Sequence, residues 1–151
     1  MEYVVAGEQD IISIFDLVQQ TIQSIYPKYY PAEVVGFFSN LHSLEAITKD
    51  VESGNTGILV VDKKIVGTGS FVDNHITRVY VAPDQQGKGY GTFMIQTIEN
   101  EIAKNYNKAY LDASLPALDL YKKLGYQVVL REKYPVENGV LLEYEVMEKL
   151  V

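Results

Sequence analysis

One stretch in the middle of the chain, VYVAPDQQGKGYG at residues 79–91, restricts the fold more than any other feature. It has the pattern of an apolar strand, a turn and the start of a helix, and Pro83 marks the end of the strand because proline cannot donate to a ladder. Gly87, Gly89 and Gly91 allow positive φ angles and keep side chains away from a ligand. Successive amides at a helix start converge on one spot, where the helix dipole favours negative charge. The run therefore predicts a phosphate or pyrophosphate site between a strand and a helix.

Two common nucleotide motifs do not fit this run. A P-loop needs a glycine, four residues and then Gly-Lys followed by Ser or Thr. Here Ala82 stands where the first glycine belongs, and Gly89 follows Lys88. The dinucleotide fingerprint needs G-x-G-x-x-G, whereas the spacing in this chain is G-x-G-x-G. A nucleotide-binding or interaction domain with a coincidental glycine turn is therefore the least favoured interpretation.

The spacing that does fit is Q-x-x-G-x-G, from Gln86 through Gly89 to Gly91. With Val81-Ala82-Pro83 upstream, it resembles the acetyl-CoA loop of the GNAT superfamily of acetyltransferases. A second run, ALDLYKKLGY at residues 117–126, resembles the A-x-x-x-Y-x-K-x-G-[FY] helix of the same family. The two motifs stand in the family's order and spacing, and the resemblance covers the chain from about Ile58 to its end.

The resemblance implies acetyl-CoA as the cosubstrate, without a metal. In this family the strand before the loop and the next strand splay apart around the pantetheine arm, so the backbone of Val79, Tyr80 and Val81 would bind the arm and the thioester carbonyl. Ser114 stands where the family often has an asparagine on the pantetheine, although helix capping explains a serine equally well. The residues expected around the pyrophosphate are Gln86, Gly87, Lys88, Gly89, Tyr90, Gly91 and Thr92. For Lys88, a solvated loop lysine is an equally good interpretation.

Two residues are expected to be catalytic by resemblance. Tyr121 matches the helix tyrosine that protonates the departing thiolate, and a phenol with a pKa near 10 can donate at neutral pH. His75 stands where some members carry a glutamate base, and an imidazole can accept a proton. Packing of Tyr121 in the core, and His75 as a polar residue that opens a strand, are the structural alternatives. His42, Glu33 and a chain of waters are the other candidates for the base.

The implied function is the direct transfer of an acetyl group to the amine of a small molecule or peptide, whose identity the sequence does not give. The alternative is a non-catalytic acyl-CoA-binding or sensing domain. The segment between the first two strands usually walls the acceptor site in this family, and here it contributes Tyr26, Tyr29, Tyr30 and Glu33. Aromatic faces beside a carboxylate suit a cationic amine, and packing of the YPKYY turn at residues 26–30 onto the sheet is the structural alternative. Family members are often dimers through their C-terminal strands, so the resemblance allows a homodimer.

Length and composition fit a single domain over residues 1–151. The chain has no cysteine and a formal net charge of −7, so it offers neither a thiolate metal site nor a basic stripe to displace phosphate counterions. We expect no nucleic acid partner. Because the N-terminus lacks a signal-peptide pattern and no apolar run approaches the ~18–20 residues of a membrane span, we also expect no membrane association and a cytoplasmic location.

Periodicity and turn signals give the order of elements. Helical spacing is found from Glu8 to about Ile25, after Pro31, and near Leu44–Glu52, where Ser43 is the expected N-cap. Further segments are strands at 3–6, 57–61, 65–71, 75–81, 109–113, 126–134 and 140–150, and helices at 89–104 and 115–124. This pattern predicts an α+β fold, an α/β sandwich of the GNAT-like acyl-CoA N-acyltransferase type, with a mixed, mostly antiparallel sheet of about seven strands and helices on both faces.

Overall fold

The computed structural model describes every residue from 1 to 151 and contains one seven-stranded sheet. The strand order is β1-β2-β3-β4-β5-β7-β6, and every neighbouring pair is antiparallel except β4 and β5, which are parallel. The strands are β1 Glu2–Val5, β2 Thr56–Val61, β3 Lys64–Val72, β4 His75–Val81, β5 Lys108–Ala113, β6 Gln127–Pro135 and β7 Leu141–Leu150. The predicted fold class is confirmed.

Five α-helices cover the two faces of this sheet. They are α1 Ile11–Ile25, α2 Ala32–Leu41, α3 Leu44–Glu52, α4 Tyr90–Ile102 and α5 Leu118–Lys123. On one face, α1 and α3 bury an apolar stripe that includes Ile14, Ile22 and Ile47. On the other face, α4 buries Ile95 and Ile98 against β5 and β7. None of these helices combines the length and the apolar composition that crossing a membrane requires.

Most of the local signals in the sequence lie where they were predicted. The Ser43 side chain caps α3 by accepting a hydrogen bond from the Ala46 amide at 3.1 Å. The hairpin between β2 and β3 is tighter than expected, because its loop is only Asp62-Lys63 and β3 already begins at Lys64. Asp62 and Lys63 both have positive φ angles, the conformation that two-residue hairpin turns need in order to match the strand twist.

Two predicted helices are shorter than their sequence patterns suggested. The helix expected from Glu8 begins with a 3₁₀ turn at Glu8–Asp10 before α1 starts. The one expected at 115–124 likewise begins as a 3₁₀ turn at Leu115–Ala117, and only Leu118–Lys123 is α-helical. Pro116 explains the second case, since proline lacks the amide that an α-helical ladder uses and favours the first turn of a helix.

Candidate active site

The sheet opens between its two parallel strands. β4 and β5 pair only at their beginnings, through His75 with Tyr110 and Ile76 with Leu111. Beyond these two pairs the strands diverge, while β4 stays paired with β3 on its other side as far as Val81. The remaining length of β4 therefore presents one edge of its backbone to a gap inside the sheet.

The hydrogen-bond register decides which backbone groups of β4 face this gap. The Ala82 amide donates to the Val66 carbonyl oxygen at 2.8 Å. Because hydrogen-bonded and non-hydrogen-bonded pairs alternate along an antiparallel ladder, the backbone of Tyr80 also bonds to β3. The amide and carbonyl groups of Val79 and Val81 point the other way, towards the gap. The amides of both residues and the Val79 carbonyl are thus the unpaired main-chain groups expected beside an extended ligand, and Tyr80 offers its side chain.

The glycine-rich loop connects the open end of β4 to α4. Gly87 and Gly89 have φ angles of +78° and +83°, and no atom lies within 4 Å of a β-carbon built on either residue. Their conformation therefore requires glycine, and the space beside them is open. None of the six amides at residues 87–92 donates a hydrogen bond within the protein. Free amides at a helix start are the elements of an anion site.

Gly91 has a different role from the other two glycines. A β-carbon on Gly91 would lie 3.3 Å from Cδ2 of Leu120 on α5 and 3.8 Å from Cγ2 of Val81. The missing side chain lets the start of α4 approach both α5 and β4 closely. The contact brings the two sequence motifs together in space, since α5 also carries Tyr121.

The two long polar side chains of the loop bind to the protein itself. Gln86 Nε2 donates to the Val81 carbonyl oxygen at 3.0 Å and so ties the loop to the end of β4. Lys88 Nζ lies 3.1 Å from Gln85 Oε1 on the exposed surface, and Lys88 does not line the cleft described below. Of the alternatives given above for Lys88, this placement favours the solvated loop lysine.

A cleft of about 650 Å³ runs from the loop through the gap between β4 and β5 to the helices on the α1 face. Twelve of the thirteen residues predicted for the site line it, with Lys88 outside. The twelve are His75, Val79, Tyr80, Val81, Gln86, Gly87, Gly89, Tyr90, Gly91, Thr92, Ser114 and Tyr121. Sequence positions up to 46 residues apart thus meet along one cavity.

Tyr121 is buried, with 7% of its surface exposed, and its ring packs edge-on against Tyr126 at 5.8 Å between centroids. The residue lines the cleft, and none of the hydrogen bonds made by the neighbouring tyrosine hydroxyls involves its own hydroxyl. Burial, followed by the neighbouring Tyr26, raises the pKa of the Tyr121 phenol well above its usual value. The hydroxyl therefore keeps its proton at neutral pH and can donate it to a group in the cleft.

Tyr26, Tyr80 and Ser114 also bring hydroxyl groups to the lining of the cleft. The hydroxyls of Tyr26 and Tyr80 are 3.1 Å apart, and the Tyr26 hydroxyl is 3.5 Å from Ser114 Oγ. Ser114 makes no capping hydrogen bond, so helix capping does not explain this serine. Tyr30 accepts a hydrogen bond from the Leu115 amide at 2.7 Å, and burial raises its pKa to about 12.

His75 lies where β4 and β5 still pair, at the closed end of the gap. Its ring stacks on Tyr110 at 4.3 Å between centroids, and Nε2 is 3.3 Å from an Asp112 carboxylate oxygen. Both His75 and Asp112 line the cleft. A carboxylate at this distance favours the tautomer with its proton on Nε2, in which Nδ1 is the nitrogen that can accept another proton. Glu33, another residue considered as the base, does not line the cleft and lies 3.4 Å from the Asn138 side-chain amide.

The second histidine of the chain is in a very different environment. His42 follows α2 and is 5% exposed, and its Nδ1 accepts a hydrogen bond of 3.1 Å from Arg78 Nε. Arg78 in turn forms an ion pair with Asp50 at 2.9 Å. Burial, and then the charge of Arg78, lowers the pKa of His42 to about 3. The imidazole is therefore neutral at neutral pH and too weakly basic to deprotonate an amine.

The low pKa of His42 makes the stability of the fold depend on pH. Between pH 6.5 and about 3 the unfolded chain binds a proton at His42 that the folded protein does not. The free energy of unfolding should therefore fall as the pH falls, and this residue should contribute a slope approaching about 1.4 kcal/mol per pH unit. His42→Asn removes the titrating group and should flatten the curve. Urea unfolding of both proteins from pH 7.5 to 4.5 measures the slopes, and parallel curves would contradict the assignment.

Two further polar residues of β4 line the cleft. Neither was predicted from the sequence. Arg78 is buried in the middle of the strand, and an arginine inside an otherwise alternating strand was the available signal. Thr77 is the extra residue of a bulge, because Ser70 pairs with Arg78 while Phe71 pairs with Ile76. Its hydroxyl is buried without a hydrogen-bond partner, and such groups are rare in folded proteins.

Comparison with known proteins agrees with this architecture. The chain matches the sequence profile of the acetyltransferase (GNAT) domain over residues 25–148. A search of curated protein sequences found no significant match. Among solved structures, the chain is similar to a GCN5-related N-acetyltransferase from Rhodopseudomonas palustris, with a TM-score of 0.90 and 22% identity over 99% of this chain and 95% of the other.

Two similar structures contain the coenzyme. The PaiA N-acetyltransferase from Thermoplasma acidophilum, in complex with coenzyme A, has a TM-score of 0.77 and 15% identity over 99% of this chain and 98% of the other. YncA, a putative acetyltransferase from Salmonella typhimurium with its cofactor acetyl-CoA, has a TM-score of 0.71 and 17% identity over 99% and 93%. At these identities the structures establish the shared fold, and they extend the similarity to the N-terminal helices. The profile match, which spans most of the chain, establishes that this protein belongs to the GNAT acetyltransferase family.

Proposed function

We propose that this protein is an acetyl-CoA-dependent N-acetyltransferase that moves an acetyl group directly to the amine of a small molecule or peptide. The observation that carries the proposal is the row of free backbone donors that begins on β4 and ends on α4. Val79 and Val81 face the gap in the sheet, and the six amides at 87–92 have no partner within the protein. Such a row suits a ligand with an extended arm and an anionic end.

The residues present fit the coenzyme at both ends of this row. Gly87 and Gly89 leave open space where a side chain would block a diphosphate. The gap between β4 and β5 gives the pantetheine arm main-chain partners at Val79 and Val81. When bound, acetyl-CoA supplies a thioester carbonyl, and backbone amides close to that carbonyl stabilise the negative charge that develops on its oxygen.

The reaction also needs two proton transfers that side chains can perform: one to the leaving sulfur and one from the amine. In the proposal, Tyr121 holds its proton and donates it to the leaving sulfur, because its phenol is buried and neutral and the residue lines the cleft. An alkyl amine has a pKa near 10 and must lose a proton before it attacks. His75 is the proposed base, acting through Nδ1 while Asp112 orients the ring.

The walls of the cleft on the α1 face favour a positively charged acceptor. Tyr26, Tyr29 and Phe38 supply aromatic surface, and Asp112 is a partly exposed carboxylate in the same cleft. Aromatic faces and carboxylates both attract an ammonium group. The proposed acceptor is therefore an amine that arrives protonated and loses its proton inside the cleft.

An amine screen with acetyl-CoA as donor tests this proposal. The library should hold small amines and short peptides with a free α-amine, and both free thiol and acetylated product should be measured. We expect at least one amine to give both signals in equal amounts. If the protein binds acetyl-CoA but acetylates no amine, the chain is better described as an acyl-CoA-binding or sensing domain.

A further inference from the structure

His42 carries a hydrogen-bond donor that nothing in the protein uses. Its Nδ1 accepts from Arg78 Nε at 3.1 Å, so in the neutral ring the proton must be on Nε2. No protein atom accepts a hydrogen bond from Nε2, although the residue is 95% buried, with 5% of its surface exposed. His42 also lines the cleft. The ring therefore presents one N–H donor to the cavity.

The surroundings of His42 hold this donor in place. Asp50 fixes the guanidinium of Arg78 at 2.9 Å, and Arg78 fixes the imidazole. The rings of His42 and Tyr80 pack in a T-shaped arrangement, with 5.3 Å between their centroids. A ligand that covers this donor without offering an acceptor would leave it buried and unpaired, which costs about 1–3 kcal/mol. A donor that is both oriented and unpaired is typical of a specificity contact.

We infer that His42 Nε2 donates a hydrogen bond to an uncharged oxygen of the acetyl acceptor. The preferred substrate is therefore an amine that also bears a carbonyl or amide group, such as an amino-acid amide or a peptide N-terminus. The inference rests on the proposed N-acetyl transfer. Asp50 already compensates the charge of Arg78, and Asp112 adds a further carboxylate to the cleft. A carboxylate on the substrate would be repelled there, whereas an uncharged carbonyl oxygen would not.

Binding of matched amines in the presence of coenzyme A tests the inference without requiring turnover. The panel contains the amides of alanine, leucine and phenylalanine, the corresponding free amino acids, and the amines in which an ethyl group replaces the carboxamide. We expect the amides to bind roughly 10–100-fold more tightly than the ethyl compounds, as the energy of a buried hydrogen bond requires. The free amino acids should bind more weakly than the amides.

His42→Asn separates the donor from the structural role of the ring. The asparagine oxygen can still accept from Arg78, but the short side chain cannot reach the position of Nε2. The preference for amides over ethyl compounds should fall to roughly threefold or less. His42→Gln, whose amide nitrogen reaches further, should restore part of the preference. An equal loss for both kinds of amine, or no amide preference in the wild-type protein, would overturn the inference.

NMR of the protein labelled with ¹⁵N-histidine tests the tautomer directly. We expect His42 to be neutral, with its proton on Nε2, from pH 5.5 to 8. A proton on Nδ1, or titration of His42 in this range, would also overturn the inference. If these signals and the amide preference are found but no amine is acetylated, the proposed function fails and the recognition of an amide oxygen stands.

Discussion

Gly89→Glu should weaken the binding of acetyl-CoA by roughly 1000-fold or more. The new carboxylate would lie among the free amides at 87–92, in space that no protein atom occupies. A negative charge about 4 Å from a phosphate costs about 4 kcal/mol at the effective dielectric constant of a protein surface, and this energy is about three orders of magnitude in affinity. Isothermal calorimetry with acetyl-CoA measures the effect.

Gly54→Glu is the matched control for this experiment. Gly54 has the same φ angle of +83° and the same open surroundings, but it follows α3 and does not line the cleft. Both variants add one negative charge and force a side chain into a left-handed backbone conformation, which costs about 1–2 kcal/mol. Only Gly89→Glu should lose the ligand. Wild-type affinity in a folded Gly89→Glu protein would show that the diphosphate does not bind at this loop.

The sequence predicted the loop well because its signals are local. Positive φ angles at Gly87 and Gly89, the end of β4 before Pro83 and the start of α4 depend on neighbouring residues and on the backbone. The spacing of the motifs was sufficient to identify the family and the fold class. The same holds for the Ser43 cap, where a side chain bonds to an amide three residues away.

Features that depend on distant contacts were not visible in the sequence. His42, Asp50 and Arg78 come from three different elements, and their network forms only when α2 and α3 pack on β4. No local pattern distinguishes a buried His42 with a pKa of about 3 from an ordinary surface histidine. The divergence of β4 from β5 is likewise a property of the assembled sheet, and it leaves the amides of Val79 and Val81 without a strand partner on that side.

The bulge at Thr77 shows the same limitation within a single strand. The sequence HITRVYV alternates only approximately, and the extra residue changes which side chains share a face. Arg78 and Tyr80 therefore lie on the α1 side, where they contact His42 and Tyr26. A register shift of this kind depends on pairing with β3, which the sequence of β4 alone does not specify.

Tyr121→Phe should lower the turnover number about 100-fold while changing the affinity for acetyl-CoA by less than about threefold, because loss of a general acid costs roughly 10²–10⁴ in rate. The phenyl ring preserves the packing against Tyr126. The hydroxyls of the neighbouring tyrosines bond to other groups and not to that of Tyr121, so the substitution leaves none of them unpaired and the free energy of unfolding should hardly change. Steady-state kinetics with an acetylated amine, and calorimetry with acetyl-CoA, measure the two effects.

Tyr126→Phe should have the opposite effect, on stability and not on turnover. The Tyr126 hydroxyl donates to Glu99 Oε2 at 2.8 Å, and that buried carboxylate is otherwise bound by Lys149. Removing the hydroxyl should destabilise the fold by about 1–3 kcal/mol and leave turnover near the wild-type level, since Tyr126 does not line the cleft. Substitution of Tyr121 would then affect the rate, and substitution of the adjacent Tyr126 would affect the stability. Wild-type turnover in Tyr121→Phe would instead show that another group protonates the departing thiolate. Tyr121 would then have only a packing role in the core.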